Sequence, residues 1–309
     1  MTLCHAEKKG LCKKIHKGKE AIIELLGAKK TVNLAFIPSM EEVYLKVVYE
    51  VLMPRAQRTG RNEILVPKRE KRSLLKVLKR ASSLGLTSKE VEMDELSKAI
   101  SKRTLGLMMS FSEPFSGKIH PMFHIATLCK EEGLFLFVDA TESVGKLFFR
   151  FQESGIDLFA FSHKNMTCVA GDLPQMKGDI WGEVFDLDEF FALQTWAQEQ
   201  LEMMDSNPME YALIKNEAIE KVKRGPLKCH FYNEGGNFLY DRWCFSFEGV
   251  HNETLAYLLR EKGIYLELFL GEHPLLSLKF DLQMSKTNLF NQWDTILHTA
   301  LEIKEFSND

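Results

Sequence analysis

Long apolar runs are missing from this chain of 309 residues. A bilayer-spanning helix needs about 18 or more consecutive apolar residues, so none is expected. The opening stretch, MTLCHAEKKG, lacks the apolar segment of a signal peptide, and no secretory leader is expected. Nine prolines and 19 glycines are too few for a collagenous or disordered chain. Neither sign of charge dominates: 40 basic against 43 acidic residues leave a net charge of −3, which argues against a dedicated nucleic-acid binder. No CxxC pair occurs. The six cysteines (Cys4, Cys12, Cys129, Cys168, Cys229 and Cys244) are scattered, as expected for reduced thiols in a cytoplasmic protein. Cys4, His5, Cys12 and His16 lie close in sequence but lack the spacing of a zinc knuckle, and five lysines surround them. That stretch is expected to be a basic first helix, with no metal site.

Within those limits the chain is long enough for one large domain or two moderate ones with a real core. Its first half alternates strand-like and helix-like segments. Val32 to Ile37 reads as a buried strand, and Ser39 followed by Glu42 forms a capping box opening a helix through about Ala56. Ile64–Val66, Val91–Met93, Leu105–Phe111, Leu134–Val138 and Leu158–Phe161 read as strands; Lys68–Leu84 and His120–Glu132 read as helices. Near-continuous apolar strands separated by helices imply a mainly parallel α/β sheet covered on both faces. Ligands in such sheets sit beyond the carboxyl ends of the strands. After about Asp186 the texture changes to a smaller α+β domain, giving an expected division into residues 1–186 and 187–309.

The densest group of candidate polar residues is DATESVGK, beginning at Asp139, followed by Ser162-His163-Lys164. Asp139 ends a buried strand, and Lys164 follows the next strand 25 residues later. Adjacent strand ends would place a carboxylate and an amine in one crevice. A pyridoxal phosphate (PLP) site needs that pair: the lysine forms the Schiff base, and the aspartate keeps the pyridine nitrogen protonated.

DATESVGK and the later GIDLFAFSHK resemble the signature of class V aminotransferase-type PLP enzymes, especially the NifS-like cysteine desulfurases. IELLGA near the N-terminus and residues 249–264 and 277–306 are more weakly similar. The resemblance implies a fold-type I dimer with a large doubly wound domain and a small domain. It makes Lys164 the Schiff-base lysine and Asp139 the partner of the pyridine nitrogen. It puts Ser162, His163 and Ser39 around the cofactor phosphate. Glu142 takes the place of a glutamine that bonds the ring hydroxyl, and Lys279 that of the arginine gripping the substrate carboxylate.

Departures from the family pattern accompany the match. The histidine that stacks on the ring aligns with Lys71, which has no planar π system. The loop that should carry a nucleophilic cysteine falls between Ile264 and Leu276 and contains none. The segment following the lysine is unrecognisable between Asn165 and Asp186. The chain is short for the family, and the missing residues border the active site. Two readings follow. In one, the protein binds PLP through Lys164, and the absent cysteine loop argues against desulfurase activity. In the other, it is a non-catalytic fold-type I relative serving as a partner or scaffold, as a homodimer or with a related chain. Lys68 to Arg80 holds seven basic residues and one acidic, and this is read as a solvated helix face before an RNA-binding one.

Overall fold

The computed structural model describes residues 5–29, 31–171, 186–204, 207–233, 237–269, 275–280 and 284–306. Cys4 of the N-terminal cluster and residues 270–274 of the expected cysteine loop lie outside them, as do 172–185 from the segment after the lysine. The chain forms two compact units, Met1–Phe111 with His120–Met204, and Ser112–Ile119 with Asp205–Asp309.

The first unit runs α1 (His5–Leu25), β1 (Asn33–Ile37), α2 (Met40–Lys46), α3 (Met53–Thr59), β2 (Glu63–Pro67), α4 (Arg72–Ala81), β3 (Thr87–Val91), α5 (Leu96–Ala99), β4 (Thr104–Ser110), α6 (Met122–Glu131), β5 (Phe135–Asp139), α7 (Phe151–Ser154), β6 (Leu158–His163), β7 (Met166–Gly171) and α8 (Leu187–Met203). A π-helical turn, Val47–Leu52, joins α2 to α3. The sheet order is β1-β7-β6-β5-β4-β2-β3. Strands β3, β2, β4, β5 and β6 are parallel, and β7 runs antiparallel between β6 and β1. This is the expected mainly parallel α/β sheet.

Successive strand residues face opposite sides of a sheet, and here both sides are buried. Ile37, Ile64, Val66, Met108, Phe137, Ala160 and Val169 pack with Tyr44, Val48, Val51, Leu74 and Val77 in one core. Phe36, of the other parity, meets Phe190 of α8 edge-on, with ring centroids 5.1 Å apart. Full burial of one such side chain stabilises by roughly 1.5–3 kcal/mol.

Several boundaries differ from expectation. The strand expected at Val91–Met93 is Thr87–Val91, an edge strand whose first four residues are exposed. The β7 strand was not expected at all. Residues 187–203 form α8 of the first unit rather than the start of the second, because Phe190, Leu193 and Ala197 are buried there.

The second unit contains α9 (Asn207–Lys223), β8 (Cys229–Phe231), β9 (Arg242–Phe247), α10 (Asn252–Glu261), β10 (Leu266–Phe269), β11 (Leu275–Lys279) and α11 (Lys286–Phe306). Its four-stranded sheet, in the order β10-β11-β9-β8, is antiparallel throughout. Trp243, Phe245 and Trp293 lie at the centre of its core. Among the described residues no helix is long and apolar enough to cross a membrane.

Candidate functional site

Asp139 is the last residue of β5 and is 1% exposed. Its parity directs the carboxylate to the face covered by α2. Oδ2 accepts from the Tyr44 hydroxyl (2.5 Å) and from Lys71 Nζ (2.7 Å). Oδ1 accepts from the Thr141 amide (2.9 Å) and the Thr141 hydroxyl (2.6 Å). A carboxylate has about four lone-pair sites, and these donors take all of them.

Each partner is positioned by local structure. Ser39 starts α2, its hydroxyl accepting from the Glu42 amide at 3.2 Å as the capping box anticipates. That start puts Val43, Tyr44 and Val47 on the buried face, where Tyr44 meets Phe137 edge-on at 5.8 Å. Lys71 precedes the first turn of α4, and its side chain is 20% exposed. Glu70, buried beside it, accepts from the Lys71 amide (2.7 Å), the Ser110 amide (2.7 Å) and the Ser110 hydroxyl (2.5 Å). The β2–α4 turn is thereby tied to the end of β4.

The electrostatics follow from this geometry. Burial alone would raise the Asp139 carboxyl, but the Lys71 ammonium and the hydrogen bonds from Lys71, Thr141 and Tyr44 outweigh it and hold it below its ordinary value. Burial would lower the Lys71 ammonium, yet Asp139, with Glu142 and Glu70 adding to it, holds it above its ordinary value. Burial and the neighbouring Asp139 push the Tyr44 phenol far up, so it stays a donor. Burial raises the Glu70 carboxyl against the pull of its Ser110 and Lys71 bonds.

Of the residues expected at a cofactor, Ser162 lies on the Asp139 side of the sheet. Its amide donates to the Thr141 hydroxyl (3.2 Å), and its own hydroxyl pairs with that of Thr167 (2.7 Å). Glu142 acts on Lys71 through its charge. His163 has the opposite parity, and its ring stacks on Trp196 of α8 at 4.8 Å. Lys164 and Asn165 form a two-residue turn between β6 and β7, and both are exposed. Lys164 has φ +50°, and no other non-glycine described residue has positive φ; primed hairpin turns require that sign. Asn165 is tied to Glu189 of α8 at 2.9 Å. The amine bonded to Asp139 is therefore that of Lys71, and Lys164 lies at a hairpin tip. Lys279 is exposed at the end of β11 opposite Arg242, within the second unit.

Sequence reasoning did not find the roles of Lys71, Tyr44 and Glu70. One signal was available for Tyr44: a tyrosine on the apolar face of a helix needs a partner for its hydroxyl once buried. Two of the described cysteines, Cys129 and Cys168, are buried and poor nucleophiles. Cys168 has the parity of Phe161, away from Asp139, and burial pushes its thiol far up. Burial likewise pushes the Cys129 thiol up to about 12. Among the described residues no group of three or more His, Cys, Asp or Glu could hold a metal ion.

The sheet order, the helical cover and a carboxylate at the end of β5 define a fold-type I, PLP-transferase-like α/β protein. Solved structures agree on the fold. A NifS-like protein superposes with a TM-score of 0.83 at 14% identity, covering 96% of this chain and 90% of its own. The cysteine desulfurase CsdA of Escherichia coli gives a TM-score of 0.77 at 17% identity, covering 98% and 87%. A C-DES mutant with glycine covalently linked to its PLP cofactor gives 0.78 at 11%, covering 95% and 88%. The family model for aminotransferase class-V matches residues 3–171, more than half of the chain. The chain belongs to that family. Cysteine desulfurase IscS of Buchnera aphidicola subsp. Schizaphis graminum is 31% identical over 112 residues, which cover 33% of this chain and 28% of that protein. The mitosomal cysteine desulfurase of Encephalitozoon cuniculi is 32% identical over 75 residues, 24% of this chain and 17% of its own length.

Proposed function

We propose that this protein is a non-catalytic member of the class V aminotransferase family, working in the cytoplasm as a partner or scaffold, either as a homodimer or paired with a related chain. The observation that carries this reading is the saturated carboxylate of Asp139. A protonated pyridine nitrogen needs a free oxygen there, and Lys71 and Tyr44 occupy Oδ2 while Thr141 occupies Oδ1. The arrangement does not fit a PLP ring held in the family manner. Lys164, at an exposed turn, and the absence of cysteine between Ile264 and Leu276 support the same reading. Persulfide formation requires an accessible thiolate, and the raised thiols of Cys129 and Cys168 do not supply one.

The absorption spectrum with and without added PLP tests this. The expected result is colourless protein, no protein-bound band once added PLP has been removed by desalting, and no borohydride-trapped adduct on Lys164. A yellow protein with the cofactor trapped on Lys164 would overturn the reading.

One observation favours a second reading, in which PLP is held through Lys164. Strands β5 and β6 are adjacent and parallel, and Asp139 and Lys164 both lie at their carboxyl ends. Under that reading Asp139, Glu142, Ser162 and Ser39 would surround the cofactor. The same spectrum decides between the two.

A further inference from the structure

We propose that the Lys71 ammonium is a built-in counter-ion that closes the ring-binding subsite of this chain, and that removing it reopens Asp139 to a phosphorylated pyridine ligand. This inference rests on the non-catalytic reading above and names the group responsible for it.

Three features single out Lys71. Its Nζ lies 2.7 Å from an oxygen of a fully buried carboxylate. A pyridinium nitrogen would offer that oxygen the same things, one positive charge and one N–H donor, so amine and ring compete for the same acceptor. The approach of the lysine is also fixed from behind. Glu70 accepts the Lys71 amide and both donors of Ser110, at the end of the strand next to β5. Lys71 is therefore delivered by a bonded turn, where a long side chain on a free loop would sample many rotamers. The remaining elements of a ring site persist on this face: Thr141 orients the Asp139 carboxylate through Oδ1, and its hydroxyl also accepts from the Ser162 amide. Removing one amine thus leaves a preoriented carboxylate with a vacant acceptor on Oδ2.

Tyr44 also bonds Oδ2, but it is a neutral donor held by an aromatic contact within the core. An oxygen with two lone pairs can keep the phenol and accept one further donor. Opening the site is accordingly assigned to Lys71 alone.

The test uses the full chain and two ligands. Pyridoxine 5′-phosphate has no aldehyde, so its binding reports the ring subsite without any lysine adduct, and PLP reports adduct formation. Calorimetry is run on the wild type, Lys71→Ala, Lys71→Gln, Lys71→Arg and the double variant Lys71→Ala/Asp139→Asn. Lys71→Ala and Lys71→Gln are expected to bind pyridoxine 5′-phosphate at least tenfold more tightly than the wild type. Lys71→Arg keeps the charge and should stay closed. The double variant should lose the gained affinity. Circular dichroism establishes which variants fold; if Lys71→Ala does not, Lys71→Gln carries the test. Equal affinity in wild type, Lys71→Ala and Lys71→Gln overturns the inference, as does a gain that survives Asp139→Asn. The two proposals fail separately. PLP trapped on Lys164 of the wild type defeats the non-catalytic reading, whereas a wild type and a Lys71→Ala variant that both refuse the ligand defeat only the role of Lys71.

Discussion

Lys71 and Asp139, 68 positions apart in the chain, meet as a buried ion pair with Nζ 2.7 Å from Oδ2. The pair joins the β2–α4 turn to the end of β5, and Glu70 with Ser110 extends the link to the end of β4. Carboxyl ends of strands are where sheets of this type bind ligands. Here side chains of the protein itself occupy one such position.

Lys71→Met should lower stability by about 3–5 kcal/mol, the usual consequence of leaving a buried charge without its partner. Urea unfolding of wild type and variant measures it. A loss under about 1 kcal/mol would mean that Tyr44 and Thr141 alone satisfy Asp139.

The pH dependence of that pair follows from the signs of its shifts. Asp139 is held below its ordinary value, so its contribution is present above about pH 3.9 and is lost as pH falls through the depressed folded value. Lys71 is held above its ordinary value, so its contribution is present below about pH 10.4 and disappears as pH rises through the folded value. Between those limits the pair should contribute a constant amount. Asp139→Asn should remove the acid-side loss, as read by denaturation midpoints between pH 2 and 5. A midpoint that falls as steeply in the variant would assign acid sensitivity to other carboxylates.

The Glu70 carboxyl is displaced in the direction opposite to that of Asp139. Its raised value means that its stabilising effect is present below about pH 4.5 and is lost as pH rises. Glu70→Gln should therefore compare more favourably with the wild type at pH 8 than at pH 5. Paired urea titrations at the two values check this, and the reverse order would contradict burial as the dominant influence on the group.

Thiol accessibility provides a prediction independent of the ion pair. Native protein treated with iodoacetamide at pH 8 should leave Cys129 and Cys168 unmodified, with half-buried Cys229 reacting first among the cysteines at 129, 168, 229 and 244. Peptide mass spectrometry before and after unfolding reads the outcome. Rapid native labelling of Cys168 would contradict its burial in β7.

Gly106 lies within buried β4, where an added Cβ would fall 2.5 Å from the Phe135 carbonyl oxygen of the neighbouring strand. Backbone cannot yield there as a flexible side chain would. Gly106→Ala should cost about 1–3 kcal/mol, measurable as a lowered unfolding midpoint.

Elements whose signal is local were legible in the sequence. The apolar runs of β4 and β5, the Ser39–Glu42 cap and Asp139 as a strand end all follow from neighbouring residues. Thr87–Val91 escaped because an edge strand with polar exposed residues has no apolar pattern to show. The β6–β7 hairpin escaped because its turn is Lys164-Asn165, without the glycine that usually marks such a turn. The site was half legible: Asp139 and Ser162 could be read at adjacent strand ends, but the amine that reaches Asp139 could not. Lys71 stands in a run of basic residues that periodicity treats alike, and only the packed turn separates it from its solvated neighbours.

The second unit includes residues encoded in the middle of the first. Leu239 donates its amide to the Gly117 carbonyl at 2.8 Å, and Ile119 donates to Asn237 at 2.7 Å. The Phe115 carbonyl accepts from Ser277 (2.9 Å) and from buried Arg242 (3.3 Å). No single cut can therefore yield an intact C-terminal half. A gene fragment beginning at residue 205 would encode a guanidinium with its carbonyl acceptor left behind. Expressing that half alone would require the 112–119 peptide to be supplied in trans or spliced on by permutation.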